Sequence, residues 1–354
     1  DREMKQALDF AQEAYILGID GIIVQDLGFA GLLKESIPDL PLHASTQMTT
    51  YDINGVEELE KLGFKRIVLA RELSIDEIKS IAAKCSAEIE VFVHGALCMS
   101  YSGQCLMSSM IGGRSGNRGK CAQPCRLPYE LIDCRDAEER KIVGSCEGKY
   151  LLSPKDLCSL HELEKISETG IRSLKIEGRM KSPEYVSIVV SKYRKCLNGL
   201  DTVQKKPEKE KWEIEKQDLQ SLKQVFNRGG FTCGYLQGEK GREMMCYEKP
   251  KNWGIYLGRA VSTIGKNGTF KIELAETLSQ GDGIEIWNGE ETSPGTIISI
   301  IKEKGKTTKT AAAGKTVEIG YLKGKISAGD RVFKTSDKAL NAEARSSFTT
   351  NAGR

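Results

Sequence analysis

The chain has 354 residues, a net charge of +3, 39% apolar and 29% charged residues, the balance of a folded globular protein rather than a disordered or fibrous one. No run of about 18 apolar residues is present to span a bilayer, and no signal peptide opens the sequence, so a membrane partner is not expected. The length suggests about two domains, and so small a net charge neither requires nor excludes a polyanionic partner.

Residues 3–17 read as a helix, with Met4, Leu8, Ala11, Ala14 and Tyr15 on one face and Gly18 as its stop. Gly21–Gln25 reads as a buried strand, followed by a short helix at 28–36 and a strand at Leu42–Gln47. The unit repeats as helix 53–62, strand Arg66–Arg71, helix 74–84 and strand Glu90–His94. After a cysteine-bearing insertion, 95–148, come strand Tyr150–Ser153, helix 155–168, strand Ser173–Glu177 and helix 182–197. Apolar strands each followed by a helix predict a parallel sheet covered by helices. Six such strands are too few for an eight-stranded barrel, and the chain opens at Asp1 on a helix. The expected fold of residues 1–199 is therefore a partial (β/α) TIM-like barrel lacking its N-terminal strands, cut from a larger protein.

Residues 200–250 read as a connector, rich in Lys and Glu up to 216 and irregular around Gly229-Gly230. From 251 to 335 six short β-type runs alternate with glycines, beginning at Gly254–Arg259 and ending at Arg331–Phe333. That pattern predicts a small all-β, barrel-like domain. Residues 336–354 read as a tail.

Eleven cysteines without a secretory signal form no even disulfide framework, which points to a reducing compartment, the cytoplasm. Cys85, Cys134, Cys158, Cys196, Cys233 and Cys246 are scattered and read as small buried hydrophobes. Cys98, Cys105, Cys121 and Cys125 instead fall within one loop, beyond the carboxyl end of a predicted strand, where βα folds place their sites. Thiolates suit iron–sulfur clusters or zinc, and Arg114, Arg118, Lys120 and Arg126 would stabilise the negative charge. The C-x6-C and C-x3-C spacings match no standard zinc or ferredoxin pattern, so spacing alone leaves a metal site and a loop of ordinary thiols both open.

His43 and His94 stand at predicted strand ends, in one layer with Gln47, Arg71, Glu72, Glu177 and Arg179. They are candidates for a pocket, against the plainer reading of core imidazoles and a structural Arg71–Glu177 ion pair. After Glu177-Gly178-Arg179-Met180-Lys181, Ser182 and Pro183 suit a helix cap and first turn, whose free amides could receive an anion. A metalloprotease would need a histidine set such as H-E-x-x-H, but only His43, His94 and His161 exist, and no G-x-S-x-G elbow appears. A Cys98–His94 pair is the one conceivable proteolytic dyad, with no evident third group to orient it.

The run Glu90–Cys98 followed by Ser102-Gly103-Gln104-Cys105-Leu106-Met107-Ser108 resembles the signature of the collagenase-like peptidase family, family U32. Blocks at Asn117–Cys121, Pro124–Arg126, Leu152–Leu157, Lys175–Ser182, His43–Gln47 and Leu69–Leu73 are similar to that family too. The resemblance runs from about residue 20 to 195 and weakens in the β-rich region. It implies an RNA-modifying enzyme that hydroxylates a pyrimidine in ribosomal RNA or tRNA with prephenate as co-substrate. It also implies a 4Fe-4S cluster on Cys98, Cys105, Cys121 and a fourth ligand, Cys125 by default or Cys146 as the alternate. Zinc could replace iron in an air-exposed sample. If a dicarboxylate such as prephenate binds, Arg71 and Arg179 are its natural partners, with Gln47 and Lys181 alongside and His43, His94 and Glu177 as catalytic candidates. A peptidase and a non-catalytic cluster-bearing scaffold remain the competing readings.

Overall fold

The computed structural model describes residues 2–135, 141–143, 149–204, 213–238, 241–290 and 292–349. They divide into two compact units. The first comprises Asp1–Glu177 with Thr232–Glu248, and the second Gly178–Phe231 with Lys249–Arg354. The division differs from the expected boundary near 199, because helix α7 (Pro183–Gln204) belongs to the second unit and part of the expected connector to the first.

The first unit alternates helix and strand: α1 (Arg2–Ile16), β1 (Ile22–Val24), α2 (Leu27–Ser36), β2 (Leu42–Ala44), α3 (Ile53–Lys61), β3 (Phe64–Val68), α4 (Ile75–Ala82) and β4 (Glu88–Ala96). Helix starts follow local chemistry. Asp26 and Asp52 each accept from a backbone N–H three residues on, and Ser74 forms a reciprocal capping box with Glu77. Val56 and Leu59, then Ile78 and Ile81, are the buried stripes of α3 and α4.

Strands β1, β2, β3, β4 and β6 (Ser173–Ile176) run parallel in that order, as the alternation predicts. Leu42, Ala44, Ile67, Ile89, Val91 and Val93 are buried from one side. The other side carries a polar row set by register, His43 opposite Arg66 and Arg66 opposite Glu88. Glu90, beside Ser173, accepts from Ser173 Oγ at 2.6 Å and Lys175 Nζ at 2.7 Å.

One predicted strand and helix are corrected. Residues 150–153 form no strand. The sheet is instead joined by β5 (Asp156–Cys158), antiparallel to the end of β4, and α-helix is confined to Leu163–Ser167. Leu157, Leu160 and Leu163 mimic a helical face in the sequence, but Lys155 and Ser159 donate their N–H groups to Met244 O and Val93 O, so the ladder takes the segment.

The second unit holds an eight-stranded antiparallel sheet. Its strands are β7 (Ile255–Ala260), β8 (Phe270–Leu274), β9 (Gly283–Trp287), β10 (Gly295–Ile297), β11 (Ile300–Glu303), β12 (Lys306–Thr308), β13 (Thr316–Gly320) and β14 (Arg331–Ser336). Alternation along β8 buries Phe270, Ile272 and Leu274, which join Leu257, Ile286, Ile319 and Val332 in one core. The expected tail is largely helical: α9 (Lys338–Thr349) docks on α7, with the Ser187 and Ser347 hydroxyls 2.7 Å apart and Arg345 Nε 2.6 Å from Glu184. Among the described residues no helix is long and apolar enough to cross a membrane.

Candidate functional site

Above β4 the chain turns into the cysteine loop, and glycines set its course. Gly95 has φ +113°, and a Cβ there would lie 2.7 Å from Glu177 O, so β4 and the end of β6 approach more closely than a side chain permits. Gly103 has φ +78°, and a Cβ there would meet Gln47 O at 2.2 Å. The loop is thus pressed against the segment that follows β2.

Polar side chains fix it further. Glu72 accepts from the Ser102 N–H at 3.0 Å and from Ser102 Oγ at 3.0 Å, while Ser102 Oγ accepts from the Arg71 N–H at 3.1 Å. Thr49 Oγ1 donates to Ser102 O at 2.6 Å, and Gln47 Nε2 donates to Gly116 O. Arg126 donates to Ser153 Oγ, Pro154 O and Leu97 O, tying the Cys125 turn to the end of β4 and the start of β5. The loop is held at three strand ends by buried or half-buried groups.

Within that frame the thiols of Cys98 and Cys125 are perturbed by burial and by their neighbours. Burial pushes the Cys98 thiol up, opposed by the Ser100 N–H; Cys105 pushes it up, Arg71 opposes, and Cys121 adds to the rise. Burial also raises Cys125, with Arg126 opposing and Cys98, Cys121 and Cys105 adding to the rise. Cys121 Sγ accepts from the Gln123 N–H at 3.3 Å. Among the described residues no three His, Cys, Asp or Glu side chains are gathered tightly enough to hold a single metal ion. Cys146 lies outside the described residues. Of the cysteines read as core, Cys158, Cys196 and Cys246 are buried, Cys85 and Cys233 half-buried, and Cys134 exposed.

Beside Cys98 sits Arg71. Its guanidinium carbon lies 4.2 Å from the Phe92 ring centroid, and Nη1 donates to Ala96 O at 2.6 Å. Its buried Nε has no hydrogen-bond partner among the described residues. Burial works against its charge, while Glu177, Cys98 and Glu72 favour it. Such a desolvated donor, left open, is costly unless a ligand completes it.

The other sequence candidates divide. Gln47 and Glu177 join the loop, since the Glu177 N–H donates to His94 O at 2.9 Å. His94 is 1% exposed within β4. His43 stands apart: it is level with Arg66 within β3, whereas Arg71 lies in the turn beyond the end of that strand. Burial, then Arg66, lowers its pKa, keeping it neutral, and a Cβ on Gly21 would touch its Nε2. His43 is therefore part of the polar row rather than the loop site. Arg179 is exposed at the start of the second unit, and Lys181 there lies over Phe226, 2.7 Å from the ring centroid. Arg118 pairs with Glu3 and the Arg114 Nε donates to Lys120 O, so part of the basic rim is structurally engaged.

Several contributors escape sequence reasoning. Phe92 is the platform beneath Arg71, Ser102 the link between Arg71 and Glu72, and Tyr235 a neighbour whose hydroxyl is pushed up by burial and then by Glu72 and Tyr101. Ser102 lies within a family-like motif, but nothing in the sequence marks Phe92 or Tyr235 as close to it.

Fold and site together define a mixed α/β protein with a cysteine-bearing loop clamped over the end of a parallel sheet. The sequence model of peptidase family U32 matches residues 1–246, and the chain belongs to that family. It is 36% identical over 289 residues to the 23S rRNA 5-hydroxycytidine C2501 synthase of Escherichia coli, covering 81% of this chain and 42% of that protein. An uncharacterized protease of Methanocaldococcus jannaschii is 35% identical over 94% of this chain and 80% of its own length. The tRNA hydroxylation protein P1 of Bacillus subtilis is 33% identical, with 83% and 69% covered. The chain thus spans less than half of the Escherichia coli relative.

Proposed function

We propose that this chain carries the centre of an iron–sulfur-dependent RNA hydroxylase acting on a pyrimidine of ribosomal RNA or tRNA, with an anionic co-substrate of the prephenate type. Relatives named for rRNA and tRNA hydroxylation support the reaction class. The observation that carries the reading is Arg71, buried with an open Nε, stacked on Phe92 and within electrostatic reach of Cys98.

Four cysteines in one clamped loop are the donor set that a 4Fe-4S cluster would take. The N–H groups of Ser100 and Gln123, directed at Cys98 and Cys121, are the kind of donors that lower the charge on cluster sulfurs. Cys98, Cys105, Cys121 and Cys125 would hold the cluster, and when bound it supplies one-electron or Lewis-acid chemistry that no side chain here provides.

The chain's own residues would do the rest. Arg71 binds a carboxylate edge-on, its plane held by Phe92 and its backbone by Ser102 and Glu72. Glu177 and Glu72 favour the guanidinium's charge against its burial. The strand ends around it are read as one rim of a partial (β/α) barrel. A thiol–imidazole peptidase dyad gains no support, because His94 is only 1% exposed within β4.

The test is mass spectrometry of RNA from cells lacking the gene, with and without a plasmid copy. One pyrimidine should lose a single oxygen and regain it with the wild-type copy but not with Cys98→Ser. An unchanged RNA profile would end the hydroxylase reading.

A further inference from the structure

The second unit contains a cleft of about 660 Å³ that plays no part in the cysteine site. One wall is helix α8 (Lys216–Val225), which presents Lys216, Leu219, Gln220 and Lys223. The other is the start of β7 with its neighbours, presenting Trp253, Tyr256, Glu276 and Phe333.

Its floor is held rigid by one buried asparagine. Asn227, 3% exposed, donates from Nδ2 to Lys223 O at 2.7 Å and Gly254 O at 2.8 Å, and its Oδ1 accepts from the Gly230 N–H at 2.8 Å. Its own N–H and C=O bond to Asn252 Oδ1 and the Trp253 N–H. Gly229 and Gly230 both have positive φ, and a Cβ on Gly230 would meet nothing within 4 Å, so the turn leaves the cleft open. A floor so fully bonded costs little to organise when a ligand arrives.

The aromatic wall is similarly braced. The Trp253 ring meets Trp287 edge-on at 4.6 Å and Phe333 at 5.9 Å, and its Nε1–H donates to Lys249 O. Tyr256 stands edge-on to Phe333 at 5.8 Å, yet is 40% exposed. On the facing wall Lys216 and Lys223 are both exposed. Seven residues apart, they are two helical turns or about 10 Å from each other on one face.

We propose that this cleft receives an unstacked nucleobase of single-stranded RNA, with Tyr256 against the base, Gln220 facing its edge, and Lys216 and Lys223 taking the flanking phosphates. An aromatic wall opposite a pair of exposed cations is the composition that single-stranded nucleic acid requires, since every base offers a π-face and every linkage a charge. Along the cleft Ile255 and Tyr256 of β7 pair with β14, and the ladder to β8 begins only at Gly258, so a peptide strand is kept as a competing outcome of the test. The inference rests on the RNA reading above and adds a second point of attachment, in the other unit, for the same class of substrate.

The experiment uses the full chain and a fluorescein-labelled, pyrimidine-containing single-stranded RNA dodecamer, followed by anisotropy. Tyr256→Ala should weaken binding roughly tenfold and Tyr256→Phe should leave it intact. The double variant Lys216→Glu with Lys223→Glu should weaken binding and flatten the slope of log affinity against log salt by about 1.4, two phosphates at about 0.7 each. Ultraviolet crosslinking of the wild-type complex guards against misfolded variants, and the crosslinked peptides should contain Trp253 or Tyr256. Equal binding by wild type and variants, or crosslinks confined elsewhere, overturns the cleft assignment while leaving RNA as substrate. Failure of the wild type to bind the RNA overturns it, and binding of a fluorescein-labelled gelatin peptide in its place would assign the cleft to a peptide. Only an unchanged RNA modification profile in the deletion strain would remove the hydroxylase reading as well.

Discussion

The guanidinium of Arg71 lies close enough over Phe92, at 4.2 Å, that a planar cation is held against a ring while one of its nitrogens stays open. Lysine can supply the charge at this position but neither the stacked plane nor the second donor. Arg71→Lys should therefore reduce kcat/KM for the anionic co-substrate about a hundredfold while iron and sulfide contents stay at wild-type levels. Equal kinetics in the two proteins would remove Arg71 from the site.

The cysteines should separate into two groups. Replacing Cys98, Cys105, Cys121 or Cys125 singly by serine in oxygen-protected protein should abolish most of the absorbance near 400 nm and most of the acid-labile sulfide. Cys196→Ala and Cys246→Ala, at buried positions, should keep both and lose about 1 kcal/mol of stability. Full iron retention in Cys125→Ser would point to Cys146 as the fourth ligand.

Gly103 is a geometric test of the loop. Its positive φ, and the 2.2 Å that would separate an added methyl group from Gln47 O, leave no room for alanine. Gly103→Ala should cost about 1–2 kcal/mol in backbone strain alone and push the loop from the strand end. The expected outcome is loss of iron binding with a normal far-ultraviolet circular dichroism spectrum. Wild-type iron content would show that the loop tolerates the shift.

Glu90 makes the polar row sensitive to acid. Burial raises its pKa, but Lys175, Ser173 and Arg66 outweigh that and hold it below the ordinary carboxylate value. Its stabilisation is therefore full above the unfolded-state pKa of about 4.3 and is lost as pH falls through the lower folded value. Glu90→Gln should destabilise by about 2 kcal/mol at pH 7, less than for a fully buried pair, because Lys175 and Arg66 keep 25% and 30% exposure and can rehydrate. The difference between the two proteins in urea melts should shrink toward pH 3. A difference that grows on acidification would contradict this assignment.

Sequence reasoning reached those parts of the molecule whose cause is local. Ser74 with Glu77, the alternation of Phe270, Ile272 and Leu274, and the loop bearing Cys98 and Cys105 all express themselves within a few residues. It failed where a distant partner decides. Leu157 and Leu160 carry a helical period, but the N–H of Ser159 is claimed by Val93 O, 66 residues away. Lys306-Thr307-Thr308 is too polar to announce a strand and becomes one only by pairing with Ile301–Glu303. The placement of His43 followed the same pattern, because its level in the sheet is fixed by register with Arg66 rather than by its closeness to Gln47 in sequence.

The return of Thr232–Glu248 to the first unit carries a consequence for how the polypeptide matures. Arg126 grips Ser153 and Pro154, and that same stretch is braced by Met244, Met245 and Cys246 through Lys155 N–H to Met244 O and Cys246 N–H to Ser153 O. A nascent chain emerging from the ribosome lacks this brace until residue 246 has been synthesised. Truncations that stop at 200 should therefore yield a sheet without a firmly seated loop, so that any group the loop cysteines hold would be received late in synthesis.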